Sequence, residues 1–97
     1  MNYKQFLQSL NKATVPFEQK VLLALWFDGK GDWEKAHNLV DQANDKASMR
    51  VHAYLHRKEG DLWNADYWYR KAGEKRPEIS LEEEWEILVL RNLDDLL

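Results

Sequence analysis

The sequence predicts an all-α protein, and three observations carry that prediction. Apolar residues recur at helical rather than strand spacing, as in Tyr3, Phe6, Leu7 and Leu10. Only four Gly and two Pro punctuate the 97 residues, and they fall where helices should start or stop. Gly-Asp occurs at Gly31-Asp32 and again at Gly60-Asp61, each time placing a helix terminator before a good N-cap.

About six helices follow from these marks. The first spans about Tyr3 to Lys12 and carries the stripe just named. Pro16 then sits near the first turn of a second helix, where its missing N–H costs nothing. That helix runs to about Asp28 and is apolar all round from Val21 to Phe27, so it should be central and buried on several sides. Gly29-Lys30-Gly31 breaks it. Asp32 caps a third helix with Trp33, Ala36, Val40 and Ala43 on one face. A fourth runs from about Ala47 to Lys58, and Gly60 ends it. Asp61 caps a fifth, bearing Leu62, Ala65, Tyr69 and Ala72, which Gly73 and Pro77 close. Ser80-Leu81-Glu82-Glu83 reads as the capping box of a sixth helix, with Leu81, Trp85, Leu88, Val89 and Leu96 as its apolar stripe. The run Glu82-Glu83-Glu84 reads as a solvated face that complements the helix dipole. The tail from Leu93 to Leu97 is expected to fray or to dock onto another subunit.

Composition bounds the function classes. Residues 1–97 suffice for one compact domain and are too few for two. A hydrophobic fraction of 44% and an aromatic fraction of 12%, with five Trp, argue for a packed core. A net charge of −3 argues against a dedicated nucleic-acid binder, although Arg and aromatic residues alternate around Tyr67 to Arg70. The lack of Cys excludes disulfides, thiolate zinc sites and a cysteine nucleophile, and it fits a reducing compartment. The first residues lack a signal-peptide pattern, and the longest apolar run, Val21 to Phe27, is far shorter than the roughly 20 residues of a membrane span. The expectation is a cytoplasmic protein with no membrane partner. Glycine-rich phosphate loops, nucleophile elbows and dinucleotide fingerprints are missing from the sequence.

The chain also repeats itself. A shift of 29 residues brings Ala24 onto Ala53, Gly31-Asp32 onto Gly60-Asp61, Ala36 onto Ala65 and Ala43 onto Ala72. Trp33 then meets Leu62, and Val40 meets Tyr69. Small residues recur where helices must approach closely, which is the signature of stacked helical hairpins. Gly60-Asp61-Leu62 followed by Ala65, Tyr69, Ala72 and Pro77 resembles the second half of a tetratricopeptide repeat. Trp68-Tyr69-Arg70-Lys71-Ala72-Gly73 is similar to the end of a Sel1-like repeat. The stretch from His52-Ala53-Tyr54-Leu55-His56-Arg57 to Gly73 further resembles a group of small uncharacterised bacterial proteins. The resemblance implies two tandem tetratricopeptide-like units, about 17–45 and 46–77, flanked by N- and C-terminal capping helices. The chain departs from the family in its 29-residue period, shorter than about 34, and in carrying Lys20 and Met49 where a large aromatic is usual.

Three groups of candidate site residues emerge. The first is histidine. His52 and His56 lie four apart, hence on one helical face. The resemblance points both inward and sets His37 against the next unit, so it implies that His37, His52 and His56 approach one another at the seam between units. Such a trio can hold zinc or another divalent metal, with Asp32, Asp61 or Glu59 orienting the rings. The competing reading is neutral, hydrogen-bonded core histidine. The second group is the concave face that such repeats use for extended peptides. The matching positions are Val21, Leu25 and Asp28 in one unit and Arg50, Tyr54, Arg57 and Lys58 in the other. That strip can clamp an acidic peptide or carboxylate. Alternatively its charges pair with Glu59 or the acidic last helix, or the N-terminal helix fills the groove. The third is Trp63 and Tyr67, surplus aromatics beside Trp68, expected on the convex side as an interface unless the last helix covers them with Trp85 or Leu88.

The leading expectation is therefore a non-enzymatic interaction module without a cofactor, binding another protein or an acidic peptide and forming a homodimer. The alternative is a metal-binding protein, or a small metal-dependent hydrolase, built on the histidines.

Overall fold

A computed structural model describes residues 1–15 and 17–94, so the expectations for Pro16 and Leu96 lie outside the described residues. Among the described residues the chain is all-α, with six helices: α1 Tyr3–Ser9, α2 Lys20–Gly29, α3 Trp33–Val40, α4 Lys46–Glu59, α5 Leu62–Lys71 and α6 Leu81–Asp94. Short polar side chains start most of them. Asp32, Asp45 and Asp61 accept the N–H of Lys35, Ser48 and Asn64 at the heads of α3, α4 and α5. Ser80 accepts the Glu83 N–H at the head of α6. Gly60 ends α4 in the left-handed region (φ 90°), which a residue with a Cβ adopts only under strain.

Three boundaries differ from the sequence expectation. One is the end of α3, which stops at Val40 and leaves Ala43, expected on its apolar face, beyond the helix. The regular part of α1 stops at Ser9, because Leu10, Asn11 and Lys12 turn back three residues to Leu7, Gln8 and Ser9. The Lys30 ammonium then donates to the Leu10 and Lys12 carbonyls, closing the end that the helix leaves open. The second helix begins at Lys20 rather than near Pro16, because the Gln19 side chain takes the Leu22 N–H and so acts as the cap.

The packing follows chain order. α2 lies against α3, α4 against α5, and α3 bridges to α4, while α6 returns across α2 and α4 and touches α1. The main core joins Phe6 of α1, Val21, Leu22, Leu25 and Trp26 of α2, Ala36 and Val40 of α3, Val51, Tyr54 and Leu55 of α4, and Leu88, Val89 and Leu93 of α6. As expected, α2 is buried on several sides. Leu93, the first residue of the tail expected to fray or to dock onto another subunit, is part of this core.

Three indole N–H groups tie helices together through backbone carbonyls: Trp26 to Ser9, Trp33 to Leu55 and Trp85 to Leu25. A buried indole needs such a partner, so these bonds fix how the helices meet. Gly29 permits the closest approach, since a Cβ there would stand 3.0 Å from the Trp85 ring. No helix among the described residues is long and apolar enough to cross a membrane.

Candidate metal centre

The seam between α3 and α4 brings the three histidines together. His37 points from the last turn of α3, and His52 and His56 stand one turn apart on α4. The Nε2 atom of His52 is 3.1 Å from Nε2 of His37 and 3.0 Å from Nε2 of His56. One ring nitrogen from each residue lies within 4.8 Å of the other two. His52 is 2% exposed and His56 is 7% exposed, so water competes poorly for these atoms.

Hydrogen bonding alone does not account for this geometry. The Glu59 carboxylate sits 2.7 Å from His56 Nδ1. An ionised carboxylate only accepts, so His56 Nδ1 donates to it, and in that neutral tautomer the Nε2 lone pair faces His52. An imidazole nitrogen has one in-plane direction, for a proton or for a lone pair. His52 Nε2 therefore makes one good hydrogen bond, yet two ring nitrogens stand at bonding distance from it. His52 Nδ1 is buried without any partner among the described residues, which adds a second unsatisfied atom to the same ring. Burial pushes the His52 imidazole down to about 4, helped by neighbouring His56 and His37 and opposed by Asp41. It stays neutral near pH 7, the form that binds metal.

The surroundings hold the rings in place. Trp33 stacks on His37 at 4.8 Å and meets His56 edge-on, while Trp68 of α5 stacks on His52 at 4.2 Å. Glu59 is the carboxylate that orients a ring. Asp32 and Asp61, the other two expected in that role, serve as helix caps. A residue that sequence reasoning missed is Asp41, whose Oδ1 lies 3.8 Å from His37 Nε2 and 3.9 Å from His52 Nε2. Its signal was present, because it stands four residues after His37 and so shares that helical face.

No protein-family model matches the chain, and no curated protein or solved structure matches it.

The basic strip on α4 is not an open face. Arg50 is 5% exposed, and its guanidinium bonds Glu84 of α6 at 2.6 Å and Glu74 at 3.1 Å. Arg57 bonds the second Glu84 oxygen at 2.6 Å and also donates to the Ile79 carbonyl. Tyr69 donates its hydroxyl to Glu84 as well. Glu84 is fully buried, which corrects the expectation of a solvated Glu82-Glu83-Glu84 face. The reason is register: Glu84 follows Leu81 by three and precedes Leu88 by four, so it belongs to the inward stripe of α6. Tyr54 donates to buried Asp28 at 2.7 Å, and Lys58 pairs with the other oxygen of that carboxylate at 2.8 Å. Burial and the adjacent Asp28 push the Tyr54 phenol well above its ordinary range, so it remains a donor. Burial works against ionisation of Glu74, but bonds from Arg91 and Arg50 outweigh it and hold that carboxyl below its usual range. Arg50, Tyr54, Arg57 and Lys58, expected to meet a peptide, are thus all engaged within the chain. What remains of the groove is a cleft of about 510 Å³, with Tyr3 and Leu7 of α1 and the following Leu10 on one side and Leu81 and Trp85 of α6 on another.

Trp63 and Tyr67 are uncovered, at 81% and 40% exposure. The last helix does not reach them, because Leu88 is in the main core and Trp85 packs against Tyr3 and Phe6.

Proposed function

We propose that the chain binds one divalent transition-metal ion, zinc in the first instance, through Nε2 of His37, His52 and His56. The observation that supports this reading is the convergence of three ring nitrogens on a region where at most one hydrogen bond per nitrogen can form. A cation accepts all three lone pairs at once, which no proton arrangement does. Imidazole donors favour zinc, copper, nickel or iron over magnesium and calcium, which take oxygen ligands. Nitrogens bound to zinc at about 2.0–2.1 Å and tetrahedral angles stand roughly 3.4 Å apart, close to the 3.0 and 3.1 Å spacings here. Glu59 bonded to the far nitrogen of His56 matches the way carboxylates orient zinc-bound histidine. The helical-repeat resemblance supplies the scaffold in this proposal, supported by the pairing of α2 with α3 and of α4 with α5. Protein purified without a histidine tag and exposed to equimolar zinc should retain about one equivalent after desalting. The His52→Gln variant should retain little. Less than about a tenth of an equivalent on the unaltered chain would contradict the proposal.

A second reading, the interaction module, is favoured by one observation: Trp63 stands 81% exposed beside Tyr67 and Leu62, which are 40% and 43% exposed. Large exposed side chains on one short helix are a candidate contact between two copies of the chain. Trp63→Ser should leave folding stability within about 0.5 kcal/mol, because an exposed ring has little burial to lose. Light scattering over a concentration series should show a dimer that the variant lacks. A wild-type chain that remains monomeric throughout contradicts this reading.

A further inference from the structure

We infer that Asp41 is the fourth ligand of the same ion, giving a closed site of three histidines and one aspartate that fastens the end of α3 to the middle of α4. This assignment rests on the histidine trio binding a metal and concerns what completes the coordination.

The geometry sets a carboxylate oxygen beside the trio. Oδ1 of Asp41 lies 3.8 Å and 3.9 Å from two of the three Nε2 atoms. Donor atoms sharing a tetrahedral zinc stand roughly 3.4 Å apart. To reach a ligand position Oδ1 must close by about half an ångström on the nitrogens of His37 and His52, and by more on that of His56, from which it stands beyond 4.0 Å. Asp41 has the freedom to make that adjustment, since its side chain is 41% exposed at the C-terminal end of α3. Its other oxygen accepts from Gln42 Nε2 at 3.2 Å, which leaves Oδ1 facing the histidines.

Charge points the same way. Three neutral imidazoles leave a zinc site with two positive charges, and His52 and His56 give it a mostly buried seat. A carboxylate at the fourth position halves that charge where it is least solvated. Closed four-coordinate sites with no exchangeable water are characteristic of structural rather than hydrolytic zinc. The assignment thus selects ion-dependent rigidity of the α3–α4 seam as the role of the site, in place of hydrolysis by a metal-bound water.

Cobalt(II) titration separates the fourth ligand from the histidine trio. Four-coordinate cobalt absorbs visible light far more strongly than five- or six-coordinate cobalt, so intensity reports ligand number. The unaltered chain should bind one cobalt with strong absorption. Asp41→Ala, in which water replaces the carboxylate at unchanged ligand number, should shift the band and lower affinity at least about tenfold, the low end of what losing even a ligand's hydrogen-bonding partner costs. Unaltered thermal unfolding of Asp41→Ala in chelator would show that its fold is intact. If Asp41→Ala matches the unaltered chain in both affinity and spectrum, Asp41 is not a ligand and the histidine site stands without it. If the unaltered chain takes up no cobalt or zinc, the histidine reading falls, and this inference with it.

Discussion

Replacing Glu84 by Ala is expected to destabilise the fold by about 3–5 kcal/mol, enough to leave a marginal domain largely unfolded near body temperature. Glu84 is fully buried and receives Arg50, Arg57 and Tyr69. Truncation leaves the Arg50 guanidinium, itself 5% exposed, with only the partly exposed Glu74 to balance it, and strips a buried phenol of its acceptor. The desolvation cost of those donors is what sets the size of the effect; the ion pair itself contributes less, because burying both partners was costly in the first place. Glu84→Gln should cost less, since the amide oxygen still accepts one donor. Glu82→Ala, at an exposed position in the same helical turn, should fall within about 0.5 kcal/mol. Urea unfolding followed by circular dichroism ranks the three. Equal effects at positions 82 and 84 would contradict the buried-latch description.

Zinc itself is expected to give the second large effect. A ligand that binds only the folded state stabilises it by about 2.7 kcal/mol when present at one hundred times its dissociation constant. For a domain of this size that corresponds to a rise in Tm of roughly 10 °C or more. Excess chelator should reverse the rise, and magnesium at the same concentration should not produce it, because imidazole is a poor partner for that ion. His52→Gln should unfold at nearly the same temperature with and without zinc. His52 is the informative position because both short nitrogen–nitrogen distances converge on it. A zinc-induced rise that survives His52→Gln would place the ion elsewhere on the molecule.

Local chemistry made the helices readable. Gly31-Asp32 and Gly60-Asp61 mark ends and caps that the structure retains, and the apolar run from Val21 to Phe27 does form a helix buried on several sides. The turn before α2 was less readable, because a Gln cap is an uncommon signal and Pro16 suggested an earlier start. The histidine convergence was expected only through the repeat resemblance, which set His37 opposite α4, and the structure does bring the three rings together. Long-range pairing was the part sequence could not settle. Whether the Arg50–Arg57 strip is open depends on where α6 lies, and Glu84 is 34 and 27 residues distant from its two guanidinium partners. Three consecutive glutamates at a helix start look like a solvated, dipole-matched turn, so composition concealed the one that register places inward. Asp41 was hidden in a similar way. Its spacing from His37 was visible, but Asp32 and Asp61 carry the stronger local signal, and their side chains are already engaged as caps.

The central claim is that Nε2 of His37, His52 and His56 share one metal ion. Anomalous scattering at the zinc edge, from crystals grown with one equivalent of zinc, tests it most directly. A single strong peak is expected about 2.0–2.1 Å from all three Nε2 atoms. A peak on other side chains, or no peak at the α3–α4 seam, would contradict it.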